Sequence, residues 1–169
     1  MSIAVASHAE GRQPPLPLPV RPPAAPAATA LLADARRGIA EARHAAQPAP
    51  RFIAAYLAAL RAGAAVLAAR GRPHRGRARP ASVWVLLETA APELTDWTAY
   101  FAAHSAARAA AQAGNTRRVT AERADELLRQ ASLFVELAHG LVHGRASVPE
   151  PSRVRQCDAP PTLGKASRR

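Results

Sequence analysis

The chain contains very little cysteine and few aromatic residues. Among 169 residues there is one cysteine, Cys157, and Phe, Trp and Tyr together make up 4%. One cysteine excludes a disulfide framework within the chain, so a reducing compartment and a cytoplasmic location are expected. The scarcity of rings leaves leucine, valine and alanine to build the core. Because alanine buries little apolar area, such a core suits closely packed helices and gives modest stability.

Long hydrophobic runs are also lacking. Membrane spans need about 20 consecutive apolar residues, and Arg61 interrupts the best candidate. The first residues, MSIAVASHAEGRQPP, have neither the basic start nor the long apolar segment of a signal peptide. We therefore expect no membrane association.

Positive charge is abundant but unevenly distributed. The formal net charge is +11, and residues 144–169 carry +4 of it. A further five arginines lie within ten residues, namely Arg70, Arg72, Arg75, Arg77 and Arg79. Such density favours nucleic-acid binding by these segments. A second explanation stays open, because 22 arginines against one lysine, with abundant alanine and proline, is also typical of a GC-rich genome.

One segment keeps a helical period longer than any other. Across residues 51–70, apolar side chains recur at steps of three and four, which predicts an amphipathic, buried central helix. Pro50 suits its first position, and Gly71 and Pro73 mark its end. The members of the stripe are Phe52, Tyr56, Leu60, Gly63 and Leu67.

Four further segments predict helices around it. They are 28–46, capped by Thr29; a short helix from Ser82 to about Ala90; 92–114; and 120–142, capped by Thr120. In the last of these, Asp125 and Arg129 have the spacing of a favourable ion pair. In the fourth helix, His104 shares an apolar stripe with Phe101 and Arg108, and we expect a hydrogen-bonded histidine in the core or at its rim.

These segments predict an all-α fold, an up-and-down bundle of four long helices plus one short helix over residues 28–143. The Pro/Ala-rich tail, residues 1–27, and the basic tail, residues 144–169, are expected to be disordered. Residues 71–81, GRPHRGRARPA, are called the basic loop below. We expect this loop to connect the second and third helices.

The amino-acid sequences of the helical segments resemble those of a known family. LLADARRGIAEARHAAQP, AAYLAALRAGAAVLAAR, SVWVLLETAAPELTDWTAYFAA and VTAERADELLRQASLFVELA, in that order, are similar to a small HEPN-domain family of actinobacteria. HEPN denotes the higher eukaryotes and prokaryotes nucleotide-binding domain. The resemblance covers about residues 28–143. It implies an up-and-down helical bundle, often dimeric, among whose relatives are metal-independent ribonucleases and toxin–antitoxin partners.

Active members of the wider superfamily carry an arginine followed, after four to six residues, by a histidine. The guanidinium would neutralise the scissile phosphate while the imidazole moves the proton of the attacking 2′-hydroxyl. The matching residues here are Arg37 and His44, which the resemblance makes the catalytic candidates. They lie on the first helix, whereas the family motif usually lies later in the bundle.

Other chemical signatures are weaker. His139 and His143 have the helical spacing of a metal-binding pair, but the H-E-x-x-H pattern and a third ligand are lacking. No glycine-rich phosphate loop or nucleophile elbow occurs. We therefore expect no metal and no other cofactor.

Three functional hypotheses follow. The first is a non-catalytic HEPN-like module for interaction or nucleic-acid binding, with RNA or DNA held by Arg70 and the basic loop. The second is a metal-independent HEPN ribonuclease, and the third is a helical dimerisation scaffold that binds no nucleic acid. A homodimer is expected because small side chains permit close helix approach on the face formed by Ala102, Ala103, Ala106, Ala107, Ala110 and Ala111.

Overall fold

The structure is a computed structural model that describes residues 24–71 and 82–144. Its helices are α1 (Pro26–His44), α2 (Pro48–Arg70), α3 (Val83–Ala90), α4 (Thr95–Gln112) and α5 (Ala121–His143), with a 3-10 turn at Pro92–Leu94. Those two ranges contain no strand. The prediction of an all-α fold with four long helices and one short helix is confirmed. Residues 1–23 and 145–169 of the tails predicted to be disordered, and residues 72–81 of the basic loop, lie outside the described residues. The predicted boundary of the first tail is wrong by two residues, because Pro26 and Ala27 already belong to α1.

Helices α1, α2 and α5 form the main packing unit. The short connection 45–47 makes α1 and α2 an antiparallel hairpin. Near the start of α2, Arg51 donates to the Asp125 carboxylate near the start of α5, so these two helices run in the same direction. Arg36 of α1 holds Glu136 of α5 through two hydrogen bonds of 3.1 and 3.3 Å. These contacts fix α5 along the groove of the hairpin.

Helices α3 and α4 attach to this unit through aromatic rings. The Phe134 ring of α5 lies 5.5 Å from Trp97, 5.2 Å from Phe101 and 6.2 Å from Trp84, measured between ring centroids. Trp84 also stacks on Phe101 at 5.1 Å, and its indole Nε1 donates to the Tyr56 hydroxyl of α2 at 2.7 Å. All of these rings are buried. The few rings of the sequence are therefore concentrated at one junction.

Close approach of α1 and α2 depends on Gly38. A Cβ atom added there would lie 3.2 Å from the Ala58 Cβ and 3.1 Å from a guanidinium nitrogen of Arg61. Gly38→Leu is therefore expected to destabilise the fold by about 1–3 kcal/mol through overpacking. Urea unfolding would measure the effect, with Ala40→Leu at an exposed position of the same helix as the control. Equal stability of the two variants would contradict close packing at Gly38.

Two local predictions about side chains are wrong. Thr29 does not cap α1, because Pro26 begins that helix and the Thr29 hydroxyl instead donates to the Pro26 carbonyl at 2.8 Å. Asp125 and Arg129 do not pair, because each has a partner elsewhere. Asp125 binds Arg51 across the helix interface, and Arg129 binds Glu126.

The predicted ends of the other helices differ by small shifts. Helix α2 begins two residues early, at Pro48, and the predicted fourth helix starts as a 3-10 turn and ends at Gln112. The caps at Ser82 and Thr120 are confirmed, since each hydroxyl accepts from a backbone N–H at 3.3 Å. Gly144 ends α5 with φ of 76°, a left-handed conformation that favours glycine.

Helix α2 is the one helix among the described residues that by length and hydropathy could cross a bilayer, with a mean hydropathy of 1.8 in an 18-residue window. The single charge of Arg61 is therefore weaker evidence against a membrane span than we expected from the sequence. In this fold α2 is the core helix, with ten buried residues contacting the helices around it.

One end of the bundle carries three of the four chain ends of the described ranges. Since α1 runs opposite to α2 and α5 runs with it, the start of α1 and the ends of α2 and α5 lie together. Arg70, at the end of α2, also forms a salt bridge with Glu93 just before α4. We call this the loop end of the bundle; Gly71 and Gly144 mark where the basic loop and the basic tail begin.

Candidate functional site

Arg70 was predicted to bind nucleic acid, and the structure gives it a structural contact. Its guanidinium pairs with the Glu93 carboxylate and lies 3.5 Å from the Ala90 carbonyl oxygen. The hydrogen bond from Arg70 lowers the pKa of Glu93. Arg70 therefore ties the end of α2 to the α3–α4 connection. The other predicted arginines, Arg72, Arg75, Arg77 and Arg79, lie outside the described residues.

The described bundle is nearly balanced in charge. Residues 24–71 and 82–144 contain eleven arginines and nine carboxylates, which gives +2 of the total of +11. Five of those arginines form salt bridges, namely Arg36, Arg37, Arg51, Arg70 and Arg129. Most of the excess positive charge therefore belongs to the remaining segments.

The predicted catalytic pair is not brought together. Arg37 and His44 are both exposed on α1, where seven residues correspond to about 10 Å along the helix axis. Arg37 pairs with Asp34, which lies on the side away from His44. A catalytic role for Arg37 and His44 stays a prediction.

A different arginine and histidine lie one helical turn apart on the inward stripe of α4. The His104 ring lies 6.0 Å from the Phe52 ring and 4.6 Å from the Tyr100 ring. The Arg108 guanidinium carbon lies 5.3 Å from the centre of the Tyr56 ring, a cation–π contact. Both side chains are partly buried. We call this set, with Tyr100, the α4 polar cluster.

Three buried polar atoms lack a hydrogen-bond partner within the described part of the chain, and two of them belong to this cluster. They are the Tyr100 hydroxyl, Nε of Arg108 and Oε1 of Gln130. Gln130 is completely buried on α5, one turn before Phe134, which contacts α4, and its Nε2 donates to Glu126 at 2.8 Å. Unsatisfied buried polar atoms cost free energy, so the two on α4 single out the α4 polar cluster.

Burial shifts the pKa of His104 and of Tyr100 in this cluster. Desolvation lowers the pKa of His104; the bond to the Tyr100 carbonyl opposes this effect, and the positive charge of Arg123 adds to it. Desolvation also raises the pKa of Tyr100 to about 12, although Arg129 and Arg123 act in the opposite direction. Because a carbonyl can only accept, His104 Nδ1 donates to the Tyr100 oxygen at 2.8 Å. Nε2 is then the basic nitrogen of the neutral ring.

The lowered pKa of His104 predicts a stability change with pH. Its ordinary value is about 6.5, so the unfolded chain takes up a proton before the folded chain does. The free energy of unfolding should therefore fall as the pH falls below that value, and level off below the folded pKa. Urea unfolding at about pH 7.5 and about pH 5 would measure this loss. His104→Gln should lose less stability on acidification, and an equal loss would contradict the assignment.

Sequence reasoning found only part of this cluster. The expectation that His104 is a hydrogen-bonded histidine at the rim of the core is confirmed. Arg108 was placed on the same stripe but given no role. Two ionisable residues at helical spacing on an apolar stripe were the available signal in the sequence.

An open concavity of about 180 Å³ lies at the opposite end from the loop end. It is lined by Gln47, Pro48, Ala49, Thr116 and Val119. None of these side chains is ionisable, so the lining offers no acid–base or nucleophilic chemistry beyond what a hydroxyl and an amide supply.

The fold is an all-α bundle, and its class is given by a comparison with known families. A family model described as SAV_6107-like HEPN matches residues 42–139, and the chain belongs to this family. The matched range includes His44 and the α4 polar cluster but not Arg37. No curated protein and no solved structure is significantly similar to the chain.

Proposed function

We propose that this HEPN domain is a non-catalytic interaction module that binds RNA or DNA through Arg72, Arg75, Arg77 and Arg79 of the basic loop. The observation that carries this proposal is the near neutrality of the described bundle, +2 of +11. Arginines that already pair with carboxylates contribute little to phosphate binding. The affinity is then supplied by the segments that hold the surplus charge.

The basic tail, residues 144–169, is the secondary contact. Its first residue, Gly144, lies at the loop end, as does Gly71 at the start of the basic loop. Two basic segments attached at one end of a rigid bundle can contact the same nucleic acid, and the second contact is then intramolecular. Arg70 supports this arrangement as a positioning residue through its salt bridge with Glu93.

The test is equilibrium binding of the chain to labelled single-stranded RNA and duplex DNA of several sequences. Contacts to phosphates carry no sequence information, so affinities for scrambled sequences should agree closely. A matched control replaces four exposed arginines of the bundle, Arg43, Arg117, Arg118 and Arg123, by alanine. This control should bind nearly as well as the chain itself. No binding at low salt would favour the scaffold hypothesis instead.

A metal-independent ribonuclease is the second candidate, and the α4 polar cluster is the observation that favours it. His104 and Arg108 supply an imidazole and a guanidinium on adjacent turns, which Arg37 and His44 do not. Cleavage assays without metal on His104→Gln, Arg108→Gln and His44→Ala would separate the sites. Cleavage lost only in the His104 and Arg108 variants would make the cluster catalytic. No cleavage by the chain itself supports the non-catalytic proposal.

We also propose that the domain is a cytoplasmic homodimer that uses the alanine face of α4. Ala102, Ala103 and Ala106 are exposed there, whereas Ala111 is buried. Exposed small side chains allow a second helix to approach closely. Ala106→Glu is expected to give monomers in light scattering, and Ala40→Glu on α1 should leave the assembly unchanged. A monomeric parent chain would contradict the dimer.

A further inference from the structure

Helix α2 carries a second apolar stripe on the side away from its buried residues. The members of this stripe are spaced four, three and four residues apart, and each is partly exposed; they are Ile53, Leu57, Leu60 and Ala64. Of the apolar 18-residue window in this helix, 56% is buried, so the bundle leaves part of it uncovered. Contiguous apolar surface that is open to solvent marks interaction sites. We call these four residues the outer stripe of α2.

The outer stripe has the dimensions of a helix-binding surface. From Ile53 to Ala64 it extends about 16 Å along the helix axis, which is three turns. Apolar residues at i, i+4, i+7 and i+11 are the pattern by which one amphipathic helix packs along another. Ile53 and Leu60 also pack against the buried core, which holds the stripe in a fixed position.

A single charged residue, Arg61, lies beside the outer stripe. It is partly exposed, and no salt bridge or hydrogen bond joins it to another described residue. One of its guanidinium nitrogens lies against Gly38 of α1, where an added Cβ would be 3.1 Å away. A guanidinium that is partly removed from water binds a carboxylate through charge-assisted hydrogen bonds. Any partner that covers the stripe therefore gains affinity by placing an acidic side chain at Arg61.

We propose that the outer stripe of α2 binds an amphipathic helix of a partner protein, with aliphatic side chains on Leu57 and its neighbours and a carboxylate on Arg61. The apolar contacts supply most of the affinity, and the ion pair selects an acidic partner over a basic one. This surface is separate from the basic loop, so the inference does not rest on nucleic-acid binding.

The test uses two synthetic amphipathic peptides of about 21 residues, long enough to cover the stripe. Both have leucine at i, i+4, i+7 and i+11; one has glutamate beside the leucines, and the other has lysine at the same positions. Fluorescence anisotropy at about 150 mM salt, where long-range attraction is screened, measures the affinity of the full chain for each peptide. The basic peptide should bind at least about tenfold more weakly than the acidic one. Arg61→Glu should reverse this preference.

Three variants separate the outer stripe from other surfaces. Leu57→Asp should weaken binding of the acidic peptide by about tenfold or more. Leu133→Asp changes an exposed leucine of α5 and should bind like the parent. Replacing Arg72, Arg75, Arg77 and Arg79 of the basic loop by alanine should also leave the affinity unchanged. Far-UV circular dichroism should show the same helicity in all variants.

The proposal is overturned if the parent chain binds neither peptide, if it binds both equally, or if Leu57→Asp binds as tightly as the parent. Loss of binding in the loop variant would also overturn it, because attraction to the basic loop would then explain the affinity. An oligomer of the parent that Leu57→Asp dissociates in light scattering would make a second copy the occupant instead. Stronger peptide binding after Leu16→Ser and Leu18→Ser would show that the chain's own Pro/Ala-rich tail covers the stripe. Failure of nucleic-acid binding leaves these outcomes unaffected.

Discussion

Replacing Phe134 by alanine should lower the free energy of unfolding by about 3–5 kcal/mol, the range found for large-to-small changes at aromatic core positions. The Phe134 side chain is completely buried, and its ring contacts Trp84, Trp97 and Phe101. Removing the ring leaves a cavity at the junction where α3 and α4 meet α5. Other described rings cannot fill it, because each is held by contacts of its own. Urea unfolding followed by circular dichroism would measure the loss.

The adjacent residue provides the control for Phe134. Leu133 is 50% exposed on the same helix, so Leu133→Ala removes three apolar carbons, against six for Phe134→Ala, without opening a cavity. Its effect should stay within about 0.5 kcal/mol, as for most surface substitutions. Similar losses in the two variants, or a loss below about 1 kcal/mol for Phe134→Ala, would show that the ring cluster does not hold α3 and α4 in place.

The second large effect is expected from the basic loop. Replacing Arg72, Arg75, Arg77 and Arg79 by alanine should sharply weaken binding to RNA and duplex DNA at low salt. Each arginine that contacts a phosphate releases counterions, and this release favours binding more strongly at lower salt. Losing four such contacts removes that contribution to the affinity. Between about 50 and 200 mM salt, four contacts account for roughly 100-fold in affinity on duplex DNA. The variant should lack that part of the salt response.

The folded bundle should be unaffected by this replacement. The substituted residues lie outside the described helices, and Arg70, which does contact the bundle, is retained. Far-UV circular dichroism and the unfolding midpoint should therefore match those of the parent. A loss of helicity would mean that the loop arginines support the fold, and the binding result could then not be assigned to phosphate contacts.

The fold was largely predictable because its signals are local. Three-four periodicity in residues 51–70 identified the core helix, and Ser82, Thr120 and Gly144 marked helix ends by their own backbone chemistry. The pairing of Asp125 was not predictable in this way. Helical spacing favoured Arg129, but the structure places Arg51 of another helix beside Asp125. The ion-pair partner of Asp125 is therefore determined by tertiary packing, which spacing in the sequence does not reveal.

The candidate site was less predictable than the fold. Arg37 and His44 matched a spacing pattern, yet their separation and the pairing of Arg37 with Asp34 depend on side-chain directions along α1. The α4 polar cluster depends on tertiary packing, since His104 and Arg108 lie against the Phe52 and Tyr56 rings of α2. Sequence periodicity identified the inward face of each helix. The packing of the helices then determined which polar side chains on those faces lie against other helices.

The central claim is that nucleic-acid binding resides in the basic loop and not in the folded bundle. The most direct test is the slope of log affinity against log salt for duplex DNA, measured for the chain and for its four-arginine loop variant. The account predicts that the slope becomes shallower by about 3.6, or about 0.9 for each lost phosphate contact. Identical slopes for the two proteins, or no binding by the parent chain at low salt, would contradict it.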